Sequence, residues 1–248
     1  MPSRLDEEQS TSLPGSLIFF VADFRAVSFS CLLRKRSSDL KIKYNVELKQ
    51  VEYKEKLNVY FSDETNESFD YIVVSDGVFS NTKSIIAEKP IFPKYFKSVA
   101  LRGNINNYDN PDISIFMGSN FHFVIYPINQ NKEFNFISII RKKLIQEEIS
   151  NKDLFNDNAF IENLLNQISS KSDLNIVDQV EKIRCFPIFV SKKFQIPPSN
   201  NIFLTGDAFY SFPPSFAQGA SQSIESANEL FNNLNNNSLN YYKTRILK

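Results

Sequence analysis

The sequence predicts a mixed α/β (α+β) protein in which an antiparallel β-rich segment interrupts an α/β portion. Three observations predict it. The near-continuous apolar run FDYIVVS, residues 69–75, reads as a strand covered on both faces. It ends in the turn dipeptide Asp76-Gly77 and precedes a short helix over Ser80 to Ala87. Four strand-like stretches, SVALRGNI, ISIFMG, FHFVIYPI and EFNFISIIRK, then follow with short loops rich in Asn, Asp and Gly, the spacing of an antiparallel sheet. Last, the apolar strand NIFLTGDA ends at Gly206-Asp207 and leads into a helix from about Gln218 to Leu234.

The remaining elements follow in order. LIFFVADF reads as a strand and VSFSCLLRK as a helix. IKYNVEL and LNVYF read as strands, and SDETNES as a turn cluster. Pro90 and Pro93 mark a first break in organisation. After the β-rich stretch come helices over Gln146–Asn151 and Asn158–Ser169, the second with apolar Phe160, Leu164, Leu165 and Ile168. EKIRCFPIFV returns as a strand, and Pro197-Pro198 marks a second break. The helix after Gln218 carries Ile224, Ala227, Leu230, Phe231 and Leu234 on one face. Asn232 to Asn237 reads as a polar linker, and SLNYYKTRILK as a last helix. The implied organisation is 1–95, 96–192 and 193–248, the outer two belonging together.

Composition narrows the function classes. Lys plus Arg and Asp plus Glu are 28 each, so there is no global basic field and nucleic acid is not an expected partner. Cys31 and Cys185 lie far apart and form no metal spacing, as in a reduced chain, and no metal is expected. Asp23 and Arg25 interrupt the longest apolar stretch, which is too short to span a bilayer, so no integral membrane segment is expected. The acidic, polar start is unlike a secretory leader, and the expected location is the cytoplasm. A homodimer is a possible assembly.

The stretch GDAFYSFPPSFAQG, residues 206–219, concentrates the local chemistry. Asp207 stands at the carboxyl end of a strand, where open α/β sheets bind ligands. Gln218-Gly219-Ala220 opens a helix, whose first amides have no internal partners and favour an anion or polar carbonyl. A carboxylate before the loop and a helix start after it can grip two parts of one ligand. Turn geometry alone also uses Gly, Asp and Pro in such a connection, so the pattern by itself leaves both readings open.

A resemblance separates them. Gly206, Asp207, Ala208, Pro214, Gln218, Gly219, Ala220, Ile224, Glu225 and Ala227 resemble the second flavin-binding motif of FAD-dependent aromatic hydroxylases, the class A flavoprotein monooxygenases. The salicylate hydroxylase branch is the most similar. SDGVFSNTK, residues 75–83, is similar to that family's Asp-Gly motif through Asp76, Gly77 and Ser80, with Lys83 where Arg is usual. Arg102, Gly118, His122, Tyr126 and Pro127 resemble its substrate-domain strands. The resemblance covers about residues 40 to 235. It implies FAD as cofactor, NADH or NADPH as reductant, and O2 with a small aromatic or phenolic substrate as reactants. The cofactor-binding residues it implies are Asp76, Gly77, Gly206, Asp207, Pro214, Gln218, Gly219 and Ala220, with Asp207 on the ribityl chain and the helix start facing the pyrimidine end of the ring. His122, Tyr126 and Tyr210 are the implied substrate-side residues. No side chain is assigned as a catalytic acid, base or metal ligand.

Besides Lys83, the chain departs from the family pattern in three places. Tyr210 stands where His is usual, and Ala217 where Gly is usual. The larger departure is at the start, where the family has Gly-x-Gly-x-x-Gly to admit a pyrophosphate. Gly15 is the one glycine before Gly77. The chain is therefore expected to be an N-terminally truncated member. The FDYIVVS and NIFLTG strands are then expected to lack neighbours and expose apolar edges, leaving the chain marginal as an enzyme.

Overall fold

The computed structural model of the chain describes residues 17–21, 43–106, 108–128, 133–169, 179–236, 240–242 and 245. The chain divides into two compact units, Met1–Pro93 with Ser191–Lys248, and Lys94–Val190. The helix expected over VSFSCLLRK, Arg25 and Cys31 lie outside the described residues.

In the first unit the chain begins with β1 (Leu17–Val21). A three-stranded antiparallel sheet follows, built from β2 (Leu48–Tyr53), β3 (Leu57–Phe61) and β4 (Asn66–Phe69). Two expectations are corrected here. IKYNVEL is largely not a strand, because Asn45 takes a left-handed φ of +56° that breaks the extended run; β2 starts where that segment ends. SDETNES is a turn only in its first half, and Asn66–Phe69 pairs back on β3 to complete a hairpin.

β5 (Tyr71–Ser75) is the central strand of a parallel sheet. Its apolar run is covered on both faces, as its continuity requires. Ile72 and Val74 pack with Leu57, Val59 and Phe61 of β3, while Val73 packs with Phe203, Leu230 and Leu234. The chain then turns at Asp76-Gly77, where Gly77 holds a φ of +83°. It enters α1 (Asn81–Ile86), whose N-cap Ser80 accepts a hydrogen bond from Lys83 N at 2.9 Å.

The second unit is an antiparallel sheet with a helix packed on one face. β6 (Lys94–Asn106), β7 (Ser114–Met117), β8 (Phe121–Pro127) and β9 (Glu133–Arg141) come first, then α2 (Gln146–Ser150), α3 (Asn158–Ser169) and β10 (Val180–Val190). The strand order is β10-β6-β9-β8-β7. Alternate residues of β6, β8 and β9, among them Leu101, Phe123 and Phe136, meet Leu164 and Ile168 of α3 in one core. That alternation is what the period-two pattern of these stretches encodes.

The chain returns to the first unit through β11 (Ile202–Leu204), a short turn of helix α4 (Gly206–Phe209), and α5 (Gly219–Asn235). The residues expected to form a polar linker from Asn232 continue α5 to Asn235 instead. The expected single apolar face of α5 is also split. Leu230 and Leu234 are buried, but Ile224 is 72% and Phe231 43% exposed. Inward-facing polar contacts set this rotation: Ser226 shares a hydrogen bond with the Tyr241 hydroxyl, and Glu229 lies by Arg245.

The expectation of missing neighbours is corrected for β5 but not for β11, which pairs with β5 alone among the described residues. β5 is flanked by β1 and β11, both parallel, with Phe19 opposite Val73 and Leu204 opposite Val74. The outer edge of β11 is covered as well. Leu204 N donates to the Tyr242 hydroxyl at 2.7 Å, and that hydroxyl donates to Ile202 O at 2.9 Å. One phenol thus satisfies two backbone groups that an edge strand would otherwise leave free.

Candidate functional site

Because β5 and β11 are parallel neighbours, Asp76-Gly77 and Gly206-Asp207 leave the same carboxyl edge of one sheet. Thr205 N donates to Val74 O at 2.9 Å, which fixes the two strand ends side by side. Lys83, 5% exposed, ties the segments that follow: its Nζ donates to Ala208 O at 3.3 Å. Burial pushes its ammonium pKa down, and the Asp76 carboxylate opposes that shift. Asp76 Oδ2 accepts from Thr82 N at 3.3 Å, while its buried Oδ1 has no hydrogen-bond partner among the described residues.

A cavity of about 370 Å³ opens beside α4, within the range of small-ligand sites. Gly206 and Asp207 line one side, and Gln218, Gly219, Gln222 and Ser223 of the α5 start line another. Gly206 needs its glycine, since φ is +53° and a Cβ would approach Ser223 Oγ at 2.9 Å. Before α5 the chain runs through a 3₁₀ turn, Pro214–Phe216, and Ala217 adopts a left-handed φ of +52° that swings it into the helix. Gly219 meets nothing within 4 Å where a Cβ would stand, so a planar ligand can approach the helix start closely.

An aromatic wall completes the cavity. The Tyr210 ring lies 4.4 Å from Phe194 and 4.8 Å, edge-on, from Phe212. Asp207 is exposed to solvent, yet enough protein surrounds it that desolvation raises its carboxyl pKa. Arg245 is buried in the lining. Its Nη2 donates to Gln222 Oε1 at 2.8 Å, and its Nη1 lies 3.5 Å from Glu225 and 3.6 Å from Glu229. A second cavity, about 160 Å³ between Lys83, Ile91 and Pro197, is too small for a cofactor. Among the described residues no cluster of His, Cys, Asp and Glu could hold a metal ion, and no helix is long and apolar enough to cross a membrane.

The structure brings together Gly206, Asp207, Tyr210, Gln218 and Gly219. Asp76 and Gly77 sit at the neighbouring strand end but outside the cavity lining, as do the exposed Pro214 and Ala220. His122 and Tyr126 belong to the other unit, on one face of β8. His122 is half-buried, and desolvation lowers its pKa. Arg102, also in that unit, donates from Nε to Asn135 Oδ1 at 3.3 Å. Sequence reasoning missed Phe194, Phe212, Gln222, Ser223 and Arg245. Phe212 sat inside the motif loop and could have been found. Phe194, in a Lys-rich stretch with no motif, carries no local signal.

No protein-family model matches the chain, and no curated protein matches it. Solved structures do. An HpxO variant from Klebsiella pneumoniae, complexed with FAD, is 16% identical, with a TM-score of 0.68 over 83% of this chain and 54% of its own. A salicylate hydroxylase in complex with substrate is 14% identical, with a TM-score of 0.68 over 84% of this chain and 56% of its own. The 2,6-dihydroxypyridine-3-hydroxylase of Arthrobacter nicotinovorans is 17% identical, with a TM-score of 0.65 over 80% and 58%. The chain therefore spans a little over half the length of the structures it matches. At such identities the likeness is one of architecture, and the parallel sheet with its inserted antiparallel sheet has the fold of the FAD-dependent hydroxylases.

Proposed function

We propose that this chain is the part of an FAD-dependent monooxygenase that holds the riboflavin end of the cofactor and a small aromatic or phenolic substrate, with NAD(P)H and O2 as co-reactants. The observation that carries the reading is the cavity in which Asp207 and the open start of α5 face one space beside an aromatic wall. The residues fit a flavin. Asp207 accepts hydrogen bonds from the ribityl hydroxyls. Gly219 admits the ring edge, and the first α5 amides donate to its polar pyrimidine end. Tyr210 stands where it can meet ring or substrate. The buried, unpartnered Oδ1 of Asp76 is a further acceptor at the same sheet edge. Bound FAD would supply the redox chemistry between nicotinamide and O2.

In this reading 1–95 and 193–248 form the flavin portion and 96–192 the substrate portion. His122 and Tyr126 contact substrate, and burial lowers the pKa of the imidazole. A second reading is a non-catalytic relative of such enzymes, and it rests on Tyr210 and Ala217 standing where that family has His and Gly. Incubating the purified chain with FAD, removing free flavin by gel filtration and recording the visible spectrum separates the two. Retained flavin absorption and NADH oxidation stimulated by phenolic acids support the first; a colourless protein supports the second. Asp207→Ala is expected to weaken flavin binding about tenfold, the equivalent of one hydrogen bond to a charged group. Unchanged affinity would remove Asp207 from the site.

A further inference from the structure

We propose that the outer edge of β7 is a self-association surface, to which a second copy of this chain adds its own β7 antiparallel about a two-fold axis. The proposal does not depend on the flavin reading.

β7 ends the strand order of the second unit, and among the described residues it pairs with β8 alone. The hairpin decides which of its backbone groups face outward. Gly118 N donates to Phe121 O at 2.8 Å, so these two residues form a hydrogen-bonded pair at the turn. Bonded and non-bonded pairs then alternate along the ladder. Phe116 opposite Phe123 and Ser114 opposite Ile125 are bonded pairs, whereas Met117 opposite His122 and Ile115 opposite Val124 are not. The N–H and C=O groups of Ile115 and Met117 therefore point away from β8, as an edge template requires. The side chains of the same stretch are exposed, Ile113 at 66%, Ile115 at 63% and Met117 at 85%. The intervening residues hold the strand in place. Phe116 stacks on Phe123 at 4.5 Å, and Ser114 Oγ accepts from Tyr108 Oη at 3.1 Å and from Asn110 Nδ2 at 3.0 Å.

The two edges of this sheet differ. β10 carries protections against edge pairing: Pro187 within the strand, the charged Glu181, Lys182 and Arg184, and register shifts, with Lys182 at a left-handed φ of +53°. β7, with the sequence SIFM, has no charge, no proline and no register shift.

Self-complementarity names the occupant. A two-fold axis normal to the sheet at Ile115 sets Ile115 opposite its own counterpart and Ile113 opposite Met117 of the second copy. Each exposed apolar side chain gains an apolar cross-strand neighbour, and the outward backbone groups are the ones that bond. Asp112 then lies opposite Gly118, and Asp109 opposite Phe121, so no two carboxylates meet across the axis. An edge this short buries less than a standard interface, so association in the micromolar range is expected.

The test is sedimentation velocity of the full chain from low to high micromolar concentration. A monomer–dimer equilibrium is expected. Ile115→Lys sets two ammonium groups opposite each other and is expected to weaken the dimer by at least about tenfold, with urea unfolding unchanged because the side chain is exposed. Ile113→Lys combined with Met117→Glu places opposite charges across the axis and is expected to dimerise more tightly than either substitution alone. A monomer at every concentration, association that grows past a dimer, or a dimer indifferent to Ile115→Lys would overturn the proposal. So would a combined variant no tighter than its two single substitutions.

Discussion

Gly206 and Gly219 lie thirteen positions apart and are glycines for different reasons. Gly206 holds a left-handed backbone with Ser223 Oγ in the path of any Cβ, whereas Gly219 has open space before it. Gly206→Ala is therefore expected to destabilise the chain by about 1–2 kcal/mol, read from urea unfolding. Gly219→Ala is expected to be neutral or slightly stabilising, because Ala is the better helix residue, yet to weaken flavin binding about tenfold by filling the approach to the helix start. Equal effects of the two substitutions on stability would refute this division. Lys83 shows how tertiary placement reassigns a residue. In sequence it is a basic residue at a motif position; in the fold it is a buried staple between α1 and the carbonyl of Ala208. No local pattern specifies a partner 125 positions away.

At the level of elements, period and continuity were readable where one environment acts along a whole stretch. LNVYF is β3 to the residue, and the helix expected over Ser80 to Ala87 is α1 with its two caps. Reading failed where a single residue breaks a run, as Asn45 does, or where polar partners outweigh an apolar stripe, as on α5. The edge of β11 belongs to this level too. Tyr242→Phe keeps the ring, which packs near Phe203 and Phe209, but removes the hydroxyl that serves Leu204 N and Ile202 O. The expected cost is about 1–3 kcal/mol for the orphaned backbone groups, with faster hydrogen exchange at Leu204. Unchanged exchange there would show that the edge needs no such cover.

For the whole molecule, the charge balance is even and there is one histidine, so the pH dependence of stability near neutrality has few sources. Burial places the folded pKa of His122 below its ordinary 6.5. The unfolded chain then binds the proton first. The stability His122 contributes is full above pH 6.5 and declines as pH falls through 6.5 toward the depressed folded value. Asp207, with its raised pKa, acts in the opposite sense at lower pH. The difference between wild type and His122→Gln in urea unfolding from pH 5 to 8 isolates the imidazole. Wild type is expected to lose stability relative to the variant on acidification, and a flat difference would place His122 in water.

The sequence by itself determined the alternation of buried and exposed residues, the turns at Asp76-Gly77 and Gly206-Asp207, and the mixed architecture. Each of these is a local consequence of side-chain period or of a backbone conformation few residues adopt. Only the tertiary structure decided that β1 flanks β5, that Tyr242 covers the edge of β11, that Arg245 joins the cavity lining beside Glu225 and Glu229, and that Phe194 joins its wall. Those facts depend on which distant segments share a surface, and that pairing follows from the packing of the whole chain, which no short window of residues contains.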